Sequence, residues 1–319
     1  MLKVNQVILK LEGGLGNQLF QFAAGYFVAA KNNSDLLIDQ YSIPLTTVHG
    51  EKGIGFSEFE INQLPGSKSI ILSRNLPNKF LTKWAKRYPI AKRVLLKARM
   101  WTSNPRRLSL FTETNEESSK EDFLKIQDSV KLHGNFQSWE IVVNAAQYGF
   151  PRVLRLRDTP NWINQLQKKI HFSKSIVLHF RVGDDTRTNE NFKQPDISYY
   201  LAAVQVLRTK KVFTMVYIMS DDIIRTKKMF GNELDKDFQY LEMPANSSPA
   251  ERLYILSLFG GIVCANSTFC GWAAWSISNS GGEVIVPIPY SDGPVLGSRD
   301  FPHNWIKLDK NSGAEIYLD

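Results

Sequence analysis

Three apolar runs in the second half of this chain each end in a polar cluster, and no other feature constrains the fold as strongly. Residues 176–180 (IVLHF) run into Arg181, Val182, Gly183, Asp184 and Asp185. Residues 212–219 (VFTMVYIM) run into Ser220, Asp221 and Asp222. Residues 262–265 (IVCA) run into Asn266, Ser267, Thr268 and Phe269. Helix-like stretches follow these strand-like runs at 197–209, at 249–259 (with Pro249 in the first turn) and at 268–278. A last strand is expected at 283–286, stopped by Pro287. Strands that alternate with helices imply a parallel sheet. Ligands of open α/β sheets bind outside the carboxyl ends of the strands, so three polar loops at those ends converge on one crevice. Any one of them alone is an ordinary solvated turn or helix cap; three in succession are not.

The first half opens the same way. Residues 6–11 read as a strand, Gly13, Gly14 and Gly16 as a tight turn, and Asn17 as the cap of a helix reaching Lys31. A second strand follows at 36–39, the stretch 41–66 is irregular, 112–122 reads as exposed, and 130–137 returns to the sheet. The expected division is a first domain at 1–155 and a second at 156–319, parted near Pro151 and Pro160. The glycine turn invites a rival reading. GGLGNQL approaches the dinucleotide fingerprint, and Asp39 lies about 20 residues beyond it, as a ribose-binding acid would. The third glycine position, however, is Leu19, which leaves a nicotinamide-dependent oxidoreductase as the weaker alternative.

Charge is concentrated in one segment. The net charge is +8, yet residues 61–112 hold twelve Lys or Arg and no Asp or Glu. Phe80, Trp84, Tyr88 and Trp101 are interleaved with Lys83, Lys86, Arg87, Lys92 and Arg93. The segment reads as a basic helical insertion, either resting on an anionic membrane surface or simply solvated. No RNA-binding signature accompanies it, so nucleic acid is not the expected partner. The N-terminus lacks a signal-peptide pattern, and the two cysteines, Cys264 and Cys270, form neither a disulfide framework nor a metal spacing. These features lead us to expect a cytoplasmic protein, with peripheral contact at the inner membrane face through 61–112.

The chemistry of the clusters points to an anion. Ser267 and Thr268 open a helix, where free N–H groups and the helix dipole favour negative charge. Plain N-capping by Ser267 accounts for the pattern equally well. Arg181 supplies a planar fork suited to bidentate phosphate contact.

Five motifs in order carry a family resemblance: GGLGNQLFQFAAG at 13–25, HGNFQS at 133–138, HFRVGD at 179–184, SDD at 220–222 and ANSTFCGWAAWS at 265–276. The chain resembles the bacterial α-1,2-fucosyltransferases, glycosyltransferase family 11, over about residues 7–310. The resemblance implies a GT-B-like α/β fold, two Rossmann-like domains facing across a cleft. It implies that the second domain binds GDP-fucose through His179, Arg181, Ser220, Asp221, Asp222, Glu251, Asn266, Ser267, Thr268 and Phe269. The first domain then presents the acceptor side with Gly14, Gly16, Asn17 and Gln18. Transfer is expected to invert at the fucose C1 and to deliver it to the 2-hydroxyl of a galactoside, with no metal and no cofactor. The natural setting implied is lipopolysaccharide or surface-polysaccharide synthesis on a lipid-linked oligosaccharide acceptor. Arg181 and the helix start neutralise the leaving diphosphate. Asp184 is the first candidate for the base, with Asp185 and Asp222 behind it; Asp184 serves equally well as the group that orients Arg181. A related GT-B enzyme with another donor or linkage is the alternative. Two positions depart from the motifs: Val182 replaces a second arginine, and Cys270-Gly271 replaces Ser-Trp.

Overall fold

The computed structural model describes residues 6–39, 55–60, 64–65, 69–73, 109–113, 117–127, 129–183, 193–230, 235–290 and 300–316. Among these, the strands form two all-parallel sheets. The first half contributes β1 (Gln6–Lys10), α1 (Leu15–Lys31), β2 (Asp35–Asp39), β3 (Ile70–Ser73), β4 (Ser109–Thr112), α2 (Glu117–Leu124), β5 (Val130–His133) and α3 (Trp139–Gln147). Its five strands lie in the order β3-β2-β1-β5-β4. After α4 (Asn161–Lys169), the second half runs β6 (Ser175–Phe180), α5 (Ile197–Lys210), β7 (Met215–Ser220), α6 (Ile223–Phe230), β8 (Phe238–Tyr240), α7 (Pro249–Ser257), β9 (Gly261–Val263), α8 (Thr268–Asn279), β10 (Glu283–Ile288) and β11 (Ile306–Asp309). Its six strands are ordered β11-β10-β9-β6-β7-β8. This is the expected GT-B-like α/β architecture.

Several expectations need correction. The helix after the glycine turn starts at Leu15, capped by the backbone of Gly14, so Asn17 lies inside the first turn and caps nothing. β7 begins at Met215 rather than at residue 212, and Val212 is exposed. Pro287 does not stop the last strand, because β10 continues to Ile288 and pairs with the unforeseen β11. The Ile285 carbonyl accepts from Cys264 on the β9 side. Alternation puts the missing N–H of Pro287 on that same side, beyond the end of β9, where no ladder bond is lost. The span 61–112 contains strands β3 and β4 towards its two ends; its basic residues 74–108 lie outside the described residues. Within 112–122, Glu113 departs from the expected exposure and is half-buried, while Thr112, Glu121 and Asp122 are exposed as expected.

The two halves share one apolar core. α8 lies at its centre, with residues 270–277 all buried. Phe20 of α1 lies 5.0 Å from Trp272 and 4.8 Å from Trp139, and Trp139 stacks on Trp275 at 5.9 Å. Aromatic pairs of this kind add about 0.5–1.5 kcal/mol each beyond their buried area. The Trp272 indole donates to the Gly16 carbonyl at 2.9 Å, and the Trp275 indole donates to Pro151 at 3.2 Å. The core thus ties the start of α1 to the start of α8. A second cluster, including Phe180, Val182, Tyr199 and Tyr200, is built on other side chains of β6 and β7.

Candidate active site

The six-stranded sheet ends in a clamp around Arg181. Its guanidinium donates to Asp221 Oδ2 at 2.6 Å, while Asp221 Oδ1 accepts from the amides of Val182 at 2.7 Å and Gly183 at 3.0 Å. One carboxylate therefore fixes both the arginine and the turn that carries it. Arg225, from α6, adds a 2.7 Å bond to the Val182 carbonyl. Asp222 accepts from the Arg225 amide at 2.9 Å, a helix-capping role, and Ser220 bonds to both the amide and the carbonyl of Asp222. SDD is thus a structural turn whose first aspartate aims Arg181. The Val182 side chain is 2% exposed within the second apolar cluster, so its position calls for an aliphatic group rather than a second arginine. Asp184 and Asp185 lie outside the described residues.

His179 is buried on β6, its ring stacked 5.9 Å from Phe269. Its Nδ1 is enclosed and has no hydrogen-bond partner among the described residues. Such an orphan costs about 1–3 kcal/mol, which a ligand hydrogen bond would offset. Gln194, absent from the sequence-based site, has both amide atoms enclosed and unpartnered in the same sense. It follows Lys193, whose carbonyl accepts from Asn266 at 2.9 Å.

At the start of α8, Ser267 is the N-cap residue, but its hydroxyl makes no bond to the first turn. Thr268 donates instead to Asn17 Oδ1 at 2.9 Å, and Gln137 donates to the same oxygen at 3.2 Å. Gly16 is required here. A methyl group on it would lie 2.6 Å from Thr268 Oγ1 and 2.7 Å from the Phe269 amide nitrogen. The glycine turn therefore brings α1 against the start of α8, a different job from the dinucleotide contact of the rival reading. Gln18 is fully buried, donating to Gly13 at 3.0 Å and accepting from Gly55 at 3.1 Å, so it shapes the turn from within. Gly271 faces Trp139, whose ring would sit 3.0 Å from an added Cβ. The tryptophan missing from α8 is matched in space by one from α3. A cavity of about 20 Å³, room for a single small group, opens beside Phe20, Gln137, Trp139 and Thr268.

Glu251 starts α7 in a capping box: its carboxylate accepts from Ser248 at 2.8 Å, and the Ser248 hydroxyl accepts from the Glu251 amide. Burial pushes the Cys264 thiol well above its ordinary value, and Cys270 adds to the effect, so this buried thiol stays protonated and unreactive. Among the described residues, no group of three or more His, Cys, Asp or Glu is placed to hold a metal ion. No helix among them is long and apolar enough to cross a membrane.

Two parallel sheets joined through facing helix starts, with a clamped arginine at the carboxyl edge of one, define a GT-B-like glycosyltransferase. Residues 6–309 match the model of Glycosyl transferase family 11, and the chain belongs to that family. It is similar to an α-1,2-colitosyltransferase of Escherichia coli, 26% identical over 95% of this chain and 99% of the relative. It is also similar to the O-antigen biosynthesis glycosyltransferase WbnK of Escherichia coli, at 24% identity over 93% and 99%. Similar solved structures include fucosyltransferase NodZ from Bradyrhizobium, with a TM-score of 0.46, 14% identity and coverage of 85% and 93%. An Arabidopsis thaliana FUT1 mutant in complex with GDP aligns with a TM-score of 0.48, 13% identity and coverage of 86% and 69%.

Proposed function

We propose that this enzyme moves L-fucose from GDP-fucose to the 2-hydroxyl of a terminal galactoside, inverting the donor carbon. The observation that carries the reading is the Asp221-held Arg181, at the same sheet edge as the side-chain-uncapped start of α8. The acceptor oxygen attacks C1 as the bond to the diphosphate breaks, and the sugar passes through an oxocarbenium-like state. Negative charge grows on the diphosphate. A preoriented guanidinium and a helix start placed where that charge develops stabilise it with little reorganisation. His179 and Gln194 offer enclosed polar atoms to the nucleotide, and Asn266, Ser267 and Phe269 line the approach. Gly14, Gly16 and Asn17 close the acceptor side. The base is Asp184 or Asp185; Asp222 is less suited, being engaged as a helix cap.

The domains behind this reading divide near residue 155, acceptor side before and donor side after. The reaction is metal-independent, and full turnover in excess EDTA is the expected result. The relatives' O-antigen and colitosyl activities support a second reading, in which the donor sugar is the 3,6-dideoxy analogue, colitose. Purified protein incubated with GDP-fucose or GDP-colitose and a panel of galactosides separates the two. Transfer of fucose with an NMR-assigned 1→2 linkage is expected; exclusive use of GDP-colitose reassigns the donor. The proposed acceptor hangs from a lipid carrier at the inner membrane face, held there by the basic segment 61–112. Binding to anionic vesicles at low salt, and release at high salt, is expected. Absence of vesicle binding removes the membrane contact.

A further inference from the structure

At the carboxyl edge of the five-stranded sheet, three side chains meet that none of the roles above uses. Lys10 ends β1 and His133 ends β5, its parallel neighbour, while Glu12 follows β1 by two residues. Lys10 Nζ lies 2.8 Å from His133 Nε2 and 3.2 Å from Glu12 Oε2, and His133 Nε2 lies 3.2 Å from Glu12 Oε1. The three side chains are 31%, 40% and 37% exposed in the order Lys10, Glu12, His133. The root of Glu12 is fixed, since its amide donates to Gln21 at 2.9 Å and its carbonyl accepts from Gln21 at 3.1 Å. From both strand ends the chain runs on to the contact between α1 and α8. Six residues past Lys10 is Gly16, packed on Thr268; four past His133 is Gln137, bonded to Asn17.

We propose that Lys10, Glu12 and His133 are the acceptor subsite of this crevice and hold hydroxyl groups of a neutral hexoside. The proposal rests on the transferase reading above and assigns residues to its acceptor. An ammonium offers three donors, and each carboxylate oxygen keeps a lone pair beyond its single partner here. A sugar hydroxyl donates and accepts at once, so neighbouring hydroxyls can bridge such a triangle. The ammonium and carboxylate charges cancel, leaving no surplus cation for an acidic sugar. Stability does not explain the cluster, because exposed ion pairs contribute about 0–1 kcal/mol. Carboxylates described elsewhere along the two edges are engaged in the fold: Glu113 on backbone amides, Asp221 on Arg181, Asp222 and Glu251 on helix starts. Among the described residues, the Glu12 carboxylate meets only the side chains of Lys10 and His133, which a ligand can displace or share.

The test follows the imidazole NMR signals of the five histidines, with His133 assigned through His133→Gln. Methyl galactosides, glucosides and mannosides, with methyl glucuronoside as the acidic control, are titrated with and without GDP. A neutral hexoside should shift the His133 signal saturably, and Glu12→Gln should weaken that binding about tenfold or more. GDP affinity, measured by calorimetry, should stay within twofold in the same variant. A His133 signal unmoved by every neutral hexoside, or equal binding in Glu12→Gln, overturns the proposal; tighter binding of the glucuronoside overturns the neutral class. If wild-type protein ignores GDP, the GDP-sugar donor reading fails by itself, while the titrations without GDP still judge the subsite.

Discussion

The two sheet edges that meet in this molecule are built on opposite plans. Along the six-stranded sheet, polar groups bind one another: Asp221 holds Arg181 and two amides, Arg225 holds the Val182 carbonyl, and Ser220 holds Asp222. Along the five-stranded sheet, Lys10, Glu12 and His133 touch each other but remain about one-third to two-fifths exposed. A chemically constant ligand such as a nucleotide diphosphate suits a fixed receptor, since fixing it in advance lowers the cost of binding. Groups with spare hydrogen-bonding capacity suit the many hydroxyls of a sugar. Under the proposed roles, the contrast puts preorganisation on the donor edge and adaptability on the acceptor edge.

The sharpest way to break the contrast is at Arg181. Arg181→Ala should lower turnover by about 10²–10³ with little change in melting temperature, and Arg181→Lys should fall nearly as far because a point charge does not replace a bidentate fork. Near-normal turnover in the lysine variant would remove Arg181 from the mechanism. Asp221→Asn tests the clamp itself. The amide still accepts hydrogen bonds but gives up the ion pair, so a smaller loss of about tenfold is expected, expressed in kcat more than in acceptor KM. An acceptor KM effect alone would mean that Asp221 serves the wrong edge.

Next in size is the seam between the edges. Gly16→Ala puts a methyl within 2.6–2.7 Å of Thr268 and Phe269. Overpacking of this kind costs about 1–3 kcal/mol. Thermal unfolding should shift downward, with GDP affinity falling alongside because α8 is pushed away from α1. Unchanged melting and unchanged GDP affinity would show that the seam yields freely.

Much of this frame was legible in the chain, for physical reasons. Buried parallel strands must be continuously apolar, so 176–180 and 262–265 announced themselves, with polar clusters after them at the carboxyl edge of the sheet. Arg181 and the start of α8 followed from the same pattern. The assignments inside SDD did not, because Asp221 acts on Arg181 from 40 residues away and sequence carries no signal of that pairing. Asn17 looked like a cap because its residue type suits one; its actual partner, Thr268, lies 251 residues on. Lys10 lay inside the expected strand 6–11, His133 inside the HGNFQS motif, and Glu12 carried no signal; only the β1–β5 pairing brings them together. The end of β10 was misread because a proline normally ends a strand, and its tolerance here depends on where β9 stops; β11 is a four-residue strand with little pattern to read.

The smallest expected effect concerns Glu113, which braces the five-stranded edge from within. Its Oε2 accepts from the amides of Asn135 at 2.7 Å and Phe136 at 2.8 Å, which shape the turn just after His133. Phe136 is held in the left-handed region at φ 50°, so the turn needs this anchor. Burial raises the Glu113 carboxyl above its ordinary value, only partly opposed by those two amide bonds. A carboxyl raised in the folded state favours the protonated form there. Its contribution to stability is complete below the unfolded value and declines as pH rises through the folded one. Stability should therefore step down slightly between the ordinary glutamate range and the raised value and stay lower above it, and Glu113→Gln should flatten that dip while keeping an oxygen for the two amides. Denaturant titrations across this pH window check it. A steeper dip in the glutamine variant would show that the amide bonds outweigh desolvation, and the edge would then be held by charge. A flattened dip with hexoside binding unchanged would show that the acceptor edge is braced by geometry and keeps its working charges at Lys10 and Glu12.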